Sequence, residues 1–191
     1  MNQARATGPK GRGAVRIIGG RWRGTRIPVA DRPGLRPSPD RVRETLFNWL
    51  APYVDGARCL DLFAGSGVLG FEAVSRGAAS AVLVERDAGA AAALAELAGR
   101  LGTDAVRIER AEALAYLAGT PGAQDIVFVD PPFADGVQAR VLDALVRGWL
   151  APHALVYLES ARDAPPPAAP WQVYKSGTTR QVSYKLIRYA G

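Results

Sequence analysis

Cysteine and histidine are nearly absent: Cys59 and His153 are the sole examples in 191 residues. A single cysteine excludes an intrachain disulfide. One thiol and one imidazole leave too few ligands for an ordinary zinc site, so no metal is expected. Cys59 lies within an apolar run, where a buried thiol is expected rather than a nucleophile. His153 stands in a Pro-His-Ala connection ahead of another apolar run, which argues against a catalytic role. No apolar stretch reaches the roughly 20 residues of a membrane helix. The basic amino-terminal stretch lacks the apolar core of a signal peptide, and a cytoplasmic protein is the expectation.

Acidic residues are scarce in one part of the chain. Residues 1–43 hold 11 Lys or Arg against two Asp, a net +9, while the other 148 hold 13 basic and 16 acidic groups, a net −3. A basic arm on a mildly acidic body is the footprint of a polyanion partner. Residues 1–13 are rich in Gly and Arg without periodicity and read as a disordered basic tail. Beyond them Val15, Ile17 and Ile18 read as a short strand. Gly19-Gly20 reads as a turn, and Trp22 with 25–29 as a return strand. Together 14–35 form a β-hairpin extension ahead of a body at 36–191.

Ser38-Pro39-Asp40 is a helix start, with a capping hydroxyl, a first-turn proline and an acid that complements the dipole. Val42, Leu46 and Trp49 then fall at helical spacing, and Pro52 should end the helix. After residue 56, apolar runs at 57–62, 81–85, 105–108, 126–130 and 154–159 alternate with helical segments near 67–76, 87–101, 111–118 and 135–148. Such alternation predicts an α/β fold with a parallel sheet covered on both faces. A Pro/Ala-rich loop at 163–170 precedes two extended segments, 171–176 and 181–189, which read as an antiparallel hairpin turning at Gly177-Thr178-Thr179.

Two stretches carry chemistry. In Cys59-Leu-Asp-Leu-Phe-Ala-Gly-Ser-Gly-Val-Leu-Gly70 a strand ends near Leu62 and a glycine turn opens a helix. Gly65, Gly67 and Gly70 match G-x-G-x-x-G, and Glu85 ends the next strand, where a carboxylate can accept both ribose hydroxyls. Asp61 separates a methyltransferase from an NAD enzyme. A carboxylate beside the turn repels a pyrophosphate, but suits the ammonium and sulfonium of S-adenosylmethionine.

The second stretch is Ile126-Val-Phe-Val-Asp-Pro-Pro-Phe133. An apolar strand delivers Asp130 to its carboxyl end, and two prolines hold the following backbone extended. The exocyclic amine of a purine is a poor nucleophile, because its lone pair is conjugated with the ring. The Asp130 carboxylate and the Pro131 carbonyl, accepting its two N–H bonds, free that lone pair. Phe133 stacks on the base, and Asp130 is a candidate acceptor of the amine's proton. Positioning and electrostatics then carry the rate. The same acceptor pair serves guanine N2 or adenine N6, so a DNA adenine methyltransferase is the nearest rival. An oxidoreductase and a non-catalytic RNA-binding assembly factor are the others.

These residues resemble class I methyltransferases with an Asp/Asn-Pro-Pro-Phe/Tyr motif. Arg16-Ile-Ile-Gly-Gly-Arg-Trp-Arg-Gly24, the stretch Gly34 to Leu50, Asp61 to Gly67 and Phe128 to Phe133 resemble the RsmD family, the 16S ribosomal RNA guanine-N2 methyltransferases. The resemblance implies a Rossmann-like, seven-stranded, mostly parallel sheet with a carboxyl-terminal antiparallel hairpin and an amino-terminal β-hairpin extension. It implies S-adenosylmethionine as cofactor. It also implies action on 16S rRNA in a partly or fully assembled small subunit. A monomer is expected, since no exposed apolar helix stripe stands out.

Carried over, the cofactor site comprises Asp61, Phe63, Ala64, Gly65, Ser66, Gly67, Glu85, Arg86, Glu112 and Ala113. The 64–67 loop meets the methionine part, Glu85 the ribose, and Glu112 or the Ala113 backbone the adenine. Asp130, Pro131 and Phe133 surround the guanine. Arg16, Arg21, Arg23, Arg36, Arg41 and Arg43 are candidates for RNA phosphates. Trp22 is a candidate for stacking on RNA, or else for stapling the hairpin to the body.

Overall fold

The computed structural model describes residues 13–28, 40–131 and 136–191. The greater part of the basic tail, Arg36, the Ser38 cap and Phe133 lie outside the described residues. Strands β1 (Ala14–Arg16) and β2 (Arg26–Pro28) pair antiparallel as a small hairpin. Helix α1 (Asp40–Leu50) follows, with Asp40 in its first turn. It stops two residues before Pro52, as a proline's restriction of the preceding backbone requires. The body continues as β3 (Arg58–Asp61), α2 (Val68–Ser75), β4 (Ser80–Val84), α3 (Ala88–Arg100), β5 (Val106–Glu109), α4 (Ala113–Leu117), β6 (Gln124–Val129) and α5 (Val137–Leu145). Strands β7 (Leu150–Ala161), β8 (Trp171–Thr178) and β9 (Val182–Tyr189) complete it.

The seven strands of the body lie in the order β5-β4-β3-β6-β7-β9-β8. β3 through β7 are parallel, and β9 runs antiparallel to both β7 and β8. The order reverses between β3 and β6, and the crevice at such a switch point is where open α/β sheets bind ligands. One face is packed by α1, α2 and α3 through Leu46, Phe47, Phe71 and Leu94. The other is packed by α4 and α5 through Leu117, Val141 and Leu145. Burial on both faces explains the near-continuous apolar runs. Among the described residues no helix is long and apolar enough to cross a membrane.

Two local readings change. Gly177 is no turn residue: it lies inside β8, where a Cβ would collide with the Tyr184 ring, and the chain turns beyond Thr178. His153 is inside β7 rather than before it, with a φ of 64°. It sits where the β6–β7 register slips between Gln124 and Ile126, so a bulge absorbs the Pro-His pair.

Candidate active site

Parallel strands β3, β4 and β6 end side by side, and their last residues build the site. Asp61 closes β3 and is almost fully buried. It accepts the backbone N–H groups of Phe63 and Gly70, yet burial, with a smaller push from Glu85, raises its carboxyl to about 7. The loop after it is held at each step. Leu62 N–H donates to the Phe128 carbonyl (3.1 Å), Ala64 N–H to the Val84 carbonyl (3.0 Å) and Gly67 N–H to the Ala64 carbonyl (2.6 Å). Gly67 has φ 74°, and a Cβ there would run into Leu94 and Leu83. Its glycine therefore serves the turn and the packing of α2, while Gly65 and Ser66, both half-buried, form the loop's outer rim.

Glu85 follows β4 and bridges to this loop. Its Oε2 accepts from Gly65 N–H (2.9 Å) and its Oε1 from Asp87 N–H (2.8 Å). Each carboxylate oxygen keeps further acceptor capacity, so a ribose diol can still be received. Asp87 caps α3 by accepting from Ala90 N–H (2.8 Å). Glu112 is occupied in the same way: it is the N-cap of α4 and accepts from Ala115 N–H through Oε2 (2.9 Å). Ala113 is buried beside it, and Arg86 is exposed.

The donor set suits the expected cofactor. A buried acid is at hand for an ammonium, and a second, half-buried acid beside the loop is at hand for hydroxyls. Asp130 immediately follows β6, between the end of β3 at Asp61 and the part of β7 that holds Glu159. Burial, then the charge of Glu159, then that of Asp61 push its carboxyl well above the ordinary range. Pro131 is buried at the start of the following loop. A cavity of about 140 Å³ opens there, lined by Pro131, Gly136, Gln138, Ser160 and Ala164. A larger one, about 360 Å³, lies at the opposite end of the sheet between Tyr53, Asp125 and His153, away from this chemistry. Cys59 is inert in the core, its thiol pushed up to about 12 by burial.

The basic residues divide. Arg16, Arg21, Arg23 and Arg41 are exposed. Arg43 is not: it is 0 % exposed, and the expectation that it meets phosphates is corrected. Its guanidinium donates to the Arg16 carbonyl (2.8 Å) and to Asp40 Oδ1 (2.6 Å), and lies 4.0 Å from Glu72 Oε2. A buried guanidinium needs such partners, and they turn it inward under the hairpin. Trp22 is also a staple rather than a free platform. Its ring packs edge-on to Phe71 at 6.3 Å, and the Arg21 guanidinium covers it at 4.3 Å.

Sequence reasoning missed Glu72, which is fully buried in α2. It receives Ile18 N–H and Gly19 N–H (2.7 Å each) and pairs with Arg76 Nε at 2.7 Å. Ser75 adds to the clip: its hydroxyl donates to the Gly19 carbonyl (2.6 Å) and accepts Trp22 N–H (2.9 Å). Gly20 has φ 74° and passes so close to the Ser75 carbonyl that no Cβ fits. The hairpin turn thus docks at the far end of α2. Arg21 and Arg23 stand one helix length, about 12 Å, from the glycine loop. An acid in the middle of an apolar helix was the available signal.

A family model described as "Conserved hypothetical protein 95" matches residues 15–188. The chain is 48% identical over 183 residues to the Ribosomal RNA small subunit methyltransferase D of Escherichia coli strain K12, covering 93% of this chain and 91% of the relative. It is 42% identical to the protein of the same name from Haemophilus influenzae, over 94% of this chain and 96% of that one. A solved structure of yhhF from Escherichia coli superposes with a TM-score of 0.84 at 46% identity, over 93% of this chain and 98% of that chain. HI0767 from Haemophilus influenzae gives 0.79 at 40% identity, over 92% and 98%.

Proposed function

The chain belongs to the conserved hypothetical protein 95 family, the RsmD family, and from that membership we propose that it methylates the exocyclic N2 amine of a guanine in 16S ribosomal RNA. The protein is an S-adenosylmethionine-dependent ribosomal RNA methyltransferase. Guanine N2 and the 16S target rest on the family; that the acceptor is the exocyclic amine of a base rests on one observation. An acid at the end of β6 stands at the switch point, one strand from the acid and glycine turn of β3.

Bound S-adenosylmethionine supplies an electrophilic methyl group on a sulfonium. Asp61 and the 64–67 loop hold its amino-acid end, Glu85 its ribose diol, and the α4 start beside Ala113 its adenine. Glu112, already capping α4, contributes through its remaining oxygen. Asp130 and the Pro131 carbonyl accept the two N–H bonds of the target amine and direct its lone pair at the methyl. Phe133 is assigned the face of the base. The exposed Arg16, Arg21, Arg23 and Arg41, together with Arg36, hold phosphates at a distance from the reacting base. A substrate of this kind is met in the cytoplasm, by a monomer, on a partly or fully assembled small subunit.

Transfer of labelled methyl to naked 16S RNA, to small-subunit particles lacking the modification and to DNA tests this. Nucleoside mass mapping should find N2-methylguanosine in RNA. Label in DNA alone, or in adenine, overturns the assignment.

A further inference from the structure

β6 and β7 run parallel with Val129 opposite Leu158. The next residues, Asp130 just beyond β6 and Glu159 within β7, therefore stand level with each other, one strand spacing of about 4.8 Å apart. Alternation puts both on the face of Phe128 and Tyr157, beneath α1. Glu159 is only 5% exposed. The Tyr157 hydroxyl donates to its Oε2 (2.8 Å), and Gln138 of α5 donates to its backbone carbonyl. A side chain so enclosed is poorly placed to touch a base, but it lies beside one that is assigned to do so.

Among the described residues, three other acid or phenol side chains of the sheet share this corner of the face. From β3 comes Asp61, from β7 Tyr157, and from β9 Tyr184, which pairs with Glu159. Trp49 of α1 stacks on Tyr184 at 5.4 Å, and Phe47 packs on Phe128 at 6.2 Å. The charged Arg43 of α1 is turned to Glu72 instead. Lys185 pairs with Leu158 and so leaves β9 on the opposite face, where it donates to Ser183. Among the described residues, then, this corner gathers acids and phenols.

A negative charge beside a carboxyl group favours the protonated form of that group. We infer that Glu159, held by Tyr157, is a positioning residue that strengthens Asp130 as the acceptor of the target amine's N–H bond and proton. The inference rests on the reading of Asp130 as that acceptor. A carboxylate of higher proton affinity pulls harder on an N–H bond and bends the nitrogen further toward tetrahedral. The amine lone pair forms the N–CH3 bond while the S–CH3 bond breaks and leaves its electron pair on sulfur. The nitrogen, now cationic, releases one N–H proton to an Asp130 oxygen, which passes it to solvent as product leaves. The raised proton affinity of Asp130, with the Glu159 charge as a cause second to burial, agrees with this arrangement.

Glu159→Gln removes the charge and keeps the shape. The titration of the Asp130 carboxyl is followed by 13C NMR in cofactor-free protein. The pH profile of single-turnover methyl transfer is measured at saturating cofactor and RNA. The Asp130 titration and the acid limb of the rate should both move to lower pH, and the plateau rate should fall several-fold. Tyr157→Phe, which removes one hydrogen bond that holds Glu159 beside Asp130, should move both in the same direction by less, and serves if the first variant does not fold. An unmoved Asp130 titration, or a moved titration with an unmoved acid limb, overturns the inference. An Asp130→Ala enzyme that stays active would instead remove the acceptor reading, and the titration would still report the coupling.

Discussion

A carboxyl group that titrates near neutrality makes ligand binding depend on pH, and Asp61 is such a group. Its ordinary value of 3.8 is raised to about 7 by burial. In the free protein the folded state therefore holds a proton that the unfolded state gives up, and this contribution to stability weakens as pH rises from about 4 to about 7. An ammonium ligand needs the ionised form, so binding reverses the preference. The affinity for S-adenosylhomocysteine should be flat above neutrality and fall about tenfold for each pH unit below about 7. Calorimetry across that range should find Asp61→Asn weaker at high pH and without the slope. A pH-independent wild type would discard the ammonium assignment. Asp130 makes the complementary case: Asp130→Ala should abolish turnover, by about 100-fold or more, while leaving S-adenosylhomocysteine affinity nearly intact. Both acids were legible from the sequence, because a polar residue ending an apolar strand before a glycine or proline turn has few purely structural reasons to be there. Glu159 was not: it ends an apolar run as well, but no turn motif follows it, and only the register with β6 brings it level with Asp130.

At the scale of elements, the hairpin's attachment through α2 is a polar joint in an apolar setting. Glu72 joins Ile18 and Gly19 to Arg76, with Arg43 at its back, and is itself sealed from water. Arg43 Nε finds no partner among the described residues, so the joint has little to spare. Breaking a buried ion pair by removing one partner typically costs about 3–5 kcal/mol. Glu72→Ala should lose stability on that scale in urea unfolding, and amide exchange should rise across 14–28 before the sheet opens. Unchanged exchange in the hairpin would mean that Ile17, Ile27 and Trp22 hold it by packing alone. The same joint explains two misreadings. Arg43 looked like an exposed charge because an isolated helix has no hairpin to cover it. Glu72 passed unnoticed because its partners are 53 and 54 residues away.

The whole molecule separates charge from chemistry. Asp61, Asp130 and Glu159 gather at the switch point, while the exposed Arg16, Arg21 and Arg23 sit on the hairpin beyond α2. Binding of RNA should weaken steeply with salt, as release of counterions dictates. Changing both Arg21 and Arg23 to alanine should lower the log–log salt slope by about one for each phosphate that these two side chains neutralise. The methylation rate at saturating RNA should be unchanged. A slope equal to the wild type would remove the hairpin turn from the RNA interface, leaving Arg16, Arg36 and Arg41.

The sequence by itself determined the alternation of strands and helices, the glycine turn, Glu85 and Asp130, because each is written in local spacing. Tertiary structure decided which strand ends became neighbours, since strand order depends on crossovers that no window of sequence contains. It placed Glu159 beside Asp130, buried Glu72 and Arg43 against each other, and turned Trp22 onto Phe71. Those outcomes follow from what a charge or ring meets when distant segments close over it, and burial in company alters a side chain's chemistry more than its type does.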